Sequence, residues 1–187
     1  MKPGTAKEAT VQFRSIEEPE IVKIHGYQNG DCREELSGIF RFEEPWAPMS
    51  RAQIKEKLDE QRKERRSAFF GLFLPEGEFV GLASFTSRWD PWCPRFEIIV
   101  WPECRRKGFG RSAAQNMLSK IFGDHLSNAT STSVPEWSKP ARAFVESLGF
   151  SACGRMRRAG IRGGKFYDMV CYDLLKREYL AGKKGVG

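Results

Sequence analysis

The feature that most limits the fold is a seven-residue turn, Arg105-Arg106-Lys107-Gly108-Phe109-Gly110-Arg111. It lies between an apolar strand pattern at residues 96–101 and an amphipathic helix pattern at residues 108–122. A strand that runs through a glycine-bearing turn into a helix belongs to a mixed α/β architecture, because the helix must fold back onto the sheet to bury its apolar stripe. That stripe is Phe109, Ala113, Ala114, Met117, Leu118, Ile121 and Phe122, with Gly123 as the expected stop. Gly108 and Gly110 let the backbone bend tightly, so that several N–H groups and the positive end of the helix dipole can converge on one diphosphate. Arg105, Arg106, Lys107 and Arg111 add long-range attraction for anions. The other reading of the same residues is an exposed basic turn before an ordinary helix.

The surrounding chain supplies a sheet. Apolar and polar residues alternate over 11–16, and Ser50 with Gln53 has capping-box spacing at the head of a helix expected to run to about residue 66, with Ile54 and Leu58 on its narrow buried stripe. Apolar runs at 68–74 and 78–87 flank Pro75-Glu76-Gly77 as a hairpin. A strand is expected over 129–134, a helix over 138–148 with Gly149 after it, and two last strands on either side of Arg162-Gly163-Gly164. With 187 residues, 40% of them hydrophobic, the expectation is one domain over residues 11–180 between loose tails at 1–10 and 181–187.

Composition removes several function classes. The longest apolar stretch, residues 68–74, is far short of the roughly 20 needed to cross a bilayer. The N-terminus lacks the apolar core of a secretory signal, so a cytoplasmic location is expected. Five cysteines without a C-x-x-C pair fit reduced thiols, and His25 and His125 alone make a metal centre unexpected. A net charge of +7 favours anionic partners without choosing among phosphates, cofactors and nucleic acid.

Arg105-x-x-Gly108-x-Gly110, following a strand that ends in Val100-Trp101-Pro102-Glu103, resembles the acyl-CoA signature of the GNAT superfamily of N-acetyltransferases. Ser138-Lys139-Pro140-Ala141-Arg142-Ala143-Phe144-Val145-Glu146-Ser147-Leu148-Gly149-Phe150 is similar to that superfamily's later helix, which ends in Leu-Gly-Phe before the next strand. The ending, Gly164-Lys165-Phe166-Tyr167-Asp168 with Leu174-Leu175-Lys176-Arg177-Glu178-Tyr179, is similar to the branch of ribosomal-protein N-terminal and spermidine acetyltransferases. The resemblance spans roughly residues 11–180 and is motif-grade over 97–150. It implies a GNAT-like fold, a mixed and mostly antiparallel sheet flanked by helices, with acetyl-CoA as acyl donor and a primary amine as acceptor.

Aminolysis of a thioester needs a bound donor, an unprotonated amine and a partner for the developing oxyanion. By the resemblance, the backbone of Ile98, Ile99 and Val100 pairs with the pantetheine arm, residues 105–111 hold the diphosphate, and Ser138 and Phe144 contact the cofactor. Glu97 is the one acidic residue in the strand beside the expected thioester position, which makes it the candidate general base. A strand carboxylate paired with Arg95 is the competing reading. Ser138 is either a proton relay or a helix N-cap.

Three positions depart from the family pattern. Val145 stands where many members carry a tyrosine that protonates the leaving thiolate, Ser138 where the branch usually has asparagine, and Cys153 where a glutamate usually precedes the glycine matching Gly154. Tyr167 and Tyr172 are candidate replacement acids. Cys153 reads as a small buried residue before an acyl-accepting nucleophile. Phe40, Phe42, Trp46, Trp89 and Trp92 are either acceptor-pocket walls or core. Arg155, Arg157, Arg158, Arg162 and Lys165, with no acidic residue among residues 155–165, would repel a polycation and so place a protein N-terminal α-amine ahead of spermidine. The alternatives are a polyamine or aminoglycoside acetyltransferase and a catalytically silent acyl-CoA-binding module. No membrane partner is expected, and a homodimer is left open. RNA binding through the basic segments has no RNP, KH or zinc-finger pattern behind it.

Overall fold

Seven strands and five helices form among the residues that the computed structural model describes, which are 10–30, 32, 36, 48–63, 67–87, 90–124 and 127–184. In chain order they are β1 (Gln12–Arg14), α1 (Glu18–Gln28), α2 (Arg51–Lys63), β2 (Ser67–Phe73), β3 (Phe79–Thr86) and β4 (Arg95–Val100). After a 3-10 turn at Pro102–Cys104 come α3 (Phe109–Gly123), β5 (Ala129–Pro135), α4 (Lys139–Ser147), β6 (Ser151–Arg162), β7 (Lys165–Leu175) and α5 (Lys176–Lys184). Hydrogen bonding links the strands in the order β1-β2-β3-β4-β5-β7-β6. Contacts divide the chain into two compact units, one of Met1–Thr86 with Glu97–Asn116 and one of Ser87–Phe96 with Met117–Gly187.

In the first unit β1, β2 and β3 run antiparallel, with Gln12 opposite Phe73 and Ser67 opposite Thr86. The expected hairpin closes through Gly77, whose φ of +98° only glycine adopts freely, with Gly77 N–H bonded to the Leu74 carbonyl at 2.9 Å. The expected capping box opens α2: Ser50 N–H donates to Gln53 Oε1 at 2.8 Å and Gln53 N–H to Ser50 Oγ at 3.2 Å. Ile54 and Leu58 of α2 and Ile21 and Ile24 of α1 are buried, and the two helices pack on each other.

Helix α1 has no counterpart in the sequence expectations. Its signal was nevertheless present: Pro19 in the first turn, and Glu17 N–H donating to Glu20 Oε2 at 2.8 Å. Gly26 and a short apolar stripe hid it. The C-terminus likewise departs from a loose tail, since α5 runs to Lys184, and Glu178 accepts from the Leu175 N–H at 3.1 Å where the helix begins.

In the second unit β7 runs antiparallel to both β5 and β6, and β5 runs parallel to β4 at Arg95 opposite Ser131. Gly163 and Gly164, both at positive φ, make the two-residue turn between β6 and β7 that the sequence marks. Gly149, at φ +94°, ends α4, with Phe150 N–H reaching the Val145 carbonyl at 3.4 Å. Gly123 behaves differently from the expected stop, being the last helical residue of α3 and not a left-handed cap. Met117, Leu118, Ile121 and Phe122 are each at most 3% exposed, and burying such side chains stabilises the fold by about 1.5–3 kcal/mol apiece.

Candidate active site

In the first unit the end of β4 is fixed from one side by β3. A Cβ at Gly81 would stand 2.1 Å from the Ile99 carbonyl oxygen, so glycine alone permits this approach, and Trp101 N–H donates to the Val80 carbonyl at 3.0 Å. Ile99 is buried, Ile98 and Val100 are half-buried, and Glu97 is half-buried on the strand face that alternation gives it in common with Ile99 and Trp101.

Past Trp101, which is fully buried, the chain makes its 3-10 turn and then enters the left-handed region twice, at Arg106 (φ +64°) and Gly108 (φ +86°). Backbone of alternating handedness forms concavities lined by N–H groups, which bind anions. Helix α3 opens at Phe109 directly after these residues, with Ser112 N–H bonded to the Gly108 carbonyl at 3.1 Å. The first-turn N–H groups of a helix have no acceptor inside it, and fifteen aligned peptides put the positive dipole end at this loop. Arg105, Arg106, Lys107, Gly108 and Arg111 are exposed, while Phe109 and Gly110 are half-buried. Arg105 Nε donates to the Val100 carbonyl at 3.0 Å, which folds the loop's first cation back towards β4. Further along α3, Ser112 Oγ accepts from Val11 N–H at 2.9 Å and Asn116 Nδ2 donates to the Val11 carbonyl at 2.7 Å, so the helix is clamped to the lead-in of β1.

The entrance to the loop involves residues that sequence reasoning did not single out. The Tyr27 ring of α1 stacks on Trp101 with centroids 4.2 Å apart, and its hydroxyl donates to the Glu103 carboxylate. Lys23 Nζ lies 3.8 Å from that carboxylate and donates to the Phe79 carbonyl at 2.9 Å. The Tyr27 hydroxyl holds the Glu103 carboxyl below the usual range, with Lys23 and Lys107 adding to the effect. Burial, then the Glu103 carboxylate, pushes the Tyr27 phenol well above its ordinary value.

In the second unit Ser138 occupies the N-cap position of α4, with Pro140 in the first turn, yet its side chain makes no capping hydrogen bond. The N-cap reading of its hydroxyl is therefore corrected. Phe144 is half-buried and Val145 buried at 8% exposure, an apolar side chain at the position where the family pattern has a tyrosine. Tyr172 is fully buried on β7, its hydroxyl donating to Glu146 Oε1 at 2.9 Å and accepting from Arg142 Nε at 3.1 Å. These two bonds fasten α4 to β7. Tyr167 is half-buried, edge-on to Trp137 at 6.0 Å, and lies where a Cβ on Gly160 would meet its ring. Cys153 is exposed, not buried as expected, because β6 is the edge strand of the sheet and is exposed along nearly its whole length; the strand also bulges there, with Ala152 opposite Tyr172 and Gly154 opposite Cys171. Desolvation and the nearby Asp173 push its thiol up.

Trp92 is 55% exposed and so is not core, whereas Phe40, Phe42, Trp46 and Trp89 lie outside the described residues. Among the described residues no three His, Cys, Asp or Glu side chains gather as a metal site, and no helix is long and apolar enough to cross a membrane.

Residues 31–150 match the Acetyltransferase (GNAT) family. The chain is similar to the SPbeta prophage-derived uncharacterized N-acetyltransferase YokL of Bacillus subtilis (strain 168), 22% identical over an alignment of 138 residues that covers 71% of this chain and 75% of that protein. Among solved structures it is similar to spermidine N-acetyltransferase from Vibrio cholerae in complex with CoA and spermine, with a TM-score of 0.79, 22% identity, and coverage of 91% of this chain and 98% of that one. The Vibrio cholerae spermidine/spermine N-acetyltransferase SpeG with manganese ions gives a TM-score of 0.75 at 19% identity, covering 95% and 99% of the two chains. The match over 31–150, with a mixed, mostly antiparallel seven-stranded sheet and five helices among the described residues, establishes that this chain belongs to the GNAT family of acetyltransferases, enzymes that move an acetyl group from acetyl-CoA to an amine.

Proposed function

We propose that the enzyme acetylates a small-molecule primary amine, with polyamines the first class to test, by direct attack of the amine on the acetyl-CoA thioester. The observation that carries the donor half is the pair of left-handed residues, Arg106 and Gly108, set against the N-terminus of α3 in a loop with four cations. Residues 105–111 hold the diphosphate, and Ile98, Ile99 and Val100 offer backbone to the pantetheine arm. Glu97 takes the proton that the attacking ammonium must lose, the amine nitrogen bonds to the acetyl carbon, and the C–S bond breaks to release the thiolate, which takes up a proton. The family resemblance assigns Ser138, whose hydroxyl is not spent on capping, and Phe144 to the donor as well. Residues 11–180 act as one catalytic domain, and five cysteines without a C-x-x-C pair fit a reducing, cytoplasmic setting.

The acceptor reading reverses the order expected from sequence, which put a protein N-terminal amine first. The solved relatives named above are polyamine enzymes, which favours the small-molecule alternative. The electrostatic objection to polyamines is also weaker than the sequence suggested. Arg155 Nη1 lies 3.1 Å from Asp168 Oδ2 and 3.3 Å from Glu136 Oε2, and the guanidinium groups of Arg158 and Arg162 lie over the rings of Phe166 and Trp137 at 4.3 and 3.8 Å. The test is release of free thiol from acetyl-CoA with spermidine, N-terminal peptides of ribosomal proteins and aminoglycosides as parallel acceptors. Turnover highest with spermidine supports the proposal. Turnover with peptides alone restores the protein N-terminal reading, and none with any amine leaves a silent acyl-CoA-binding module.

A further inference from the structure

We infer that Tyr27 and Glu103 are positioning residues for the donor loop: the bond between them, made across 76 positions of sequence, sets the place from which residues 105–111 start. The inference rests on the reading of that loop as the diphosphate site.

The loop is anchored at both ends by different means. At its exit, α3 is clamped through Ser112 and Asn116. At its entrance the 3-10 turn carries Cys104, which is buried, and Glu103, whose carboxylate meets the Tyr27 hydroxyl two residues before Arg105. Tyr27 is itself held, because its ring lies against Trp101 at an interplanar angle of 13° and Trp101 is fully buried. Lys23, one turn earlier on α1, braces the same carboxylate from the Phe79 carbonyl. Helix α1 thus grips the turn from which the left-handed residues spring. A loop that must present backbone N–H groups to one anion loses affinity when its starting point can drift, since ordering is then a cost of binding.

Charge alone predicts the opposite. A carboxylate beside a diphosphate site repels the ligand, so if Glu103 acted only through its charge, removing it would tighten binding. If it acts by position, removing it loosens binding despite the gain in positive charge. The sign of the effect separates the two.

The experiment is calorimetric titration of the full chain with coenzyme A, paired with steady-state acetyl transfer to whichever amine the wild type turns over. Glu103→Ala is expected to weaken coenzyme A binding about tenfold, the scale of a lost hydrogen bond to a charged group. Glu103→Gln keeps an oxygen for Tyr27 and should stay within about threefold of wild type. Tyr27→Phe keeps the stack on Trp101 and should match Glu103→Ala, with the double variant no worse than either single one. KM for acetyl-CoA should rise while kcat and KM for the amine stay within about twofold, a split that a merely smaller folded fraction cannot produce. Tighter binding by Glu103→Ala, or unchanged binding by Tyr27→Phe, overturns the inference. Should Tyr27→Phe fail to fold, the contrast between Glu103→Ala and Glu103→Gln decides alone. A wild type that gives no heat with coenzyme A overturns the donor-loop reading itself and the inference with it, whereas binding that all variants retain overturns the inference only.

Discussion

Replacing Gly108 with alanine tests the shape of the donor loop without altering its charge. Gly108 sits at φ +86°, where a Cβ crowds the following carbonyl oxygen at a cost of about 1–2 kcal/mol. That strain can appear in two places. If the loop keeps its shape, the whole cost falls on folding, and a protein of this size then loses roughly 2–4 °C of Tm per kcal/mol, with coenzyme A binding as before. If the loop relaxes to negative φ, folding is spared, and recovering the binding shape costs the same amount on association, which weakens Kd about 5- to 30-fold. Thermal unfolding and calorimetric titration read the two shares, and their sum should come to about 1–2 kcal/mol. Arg106→Gly runs the other way. It relieves strain of the same kind at φ +64°, so Tm should rise, while the lost cation weakens coenzyme A binding and makes it less sensitive to salt. An alanine variant with wild-type Tm and wild-type Kd would show that left-handed geometry at Gly108 plays no part, and the diphosphate reading would go with it.

Other expectations follow from single contacts. Glu97→Gln should lower kcat by about a hundredfold or more, with coenzyme A affinity kept, as loss of a general base does; equal thiol release by both enzymes at saturating substrate removes that assignment. Gly81→Ala, whose Cβ would stand 2.1 Å from a backbone oxygen of β4, should cost about 3 kcal/mol or more in urea unfolding, and an unmoved midpoint would mean that β3 can retreat. The Tyr27–Glu103 bond should also write itself into the pH dependence of stability. The Glu103 carboxyl is held below its ordinary range, so its share of stability is present above that range and is lost as pH falls through it. The Tyr27 phenol is raised, so its share is present below its ordinary value near 10 and is lost as pH climbs beyond. The stability gap between wild type and Tyr27→Phe should therefore be widest from about pH 5 to 9 and shrink at both ends; a gap that is flat from acid to alkali contradicts the bond.

What could be read from the sequence was whatever a short stretch of chain decides for itself. Ser50 and Gln53 cap α2 by local bonds, Gly163 and Gly164 turn the last hairpin because both take positive φ, and the order of β4, loop and α3 follows from periodicity. Missing were the features decided by distant partners. Cys153 is exposed because β6 ends up at the edge of the sheet, the Tyr172 hydroxyl is committed to Glu146 and Arg142 of α4, and the grip of Tyr27 on Glu103 joins segments that no local pattern relates. The donor loop holds one residue of each sort. Gly108 could be read because glycine at a turn announces left-handed backbone. Arg106 could not, because arginine has no inclination towards φ +64° and adopts it only where its surroundings impose it. A non-glycine residue kept at a cost of about 1–3 kcal/mol persists only where neighbouring structure over-determines its conformation. Here that structure is the buried Trp101 and Cys104, the stacked Tyr27 and the Arg105 bond to Val100. The strain at Arg106 is thus evidence that the loop's shape is held from outside the loop, which is the condition a preformed anion site requires.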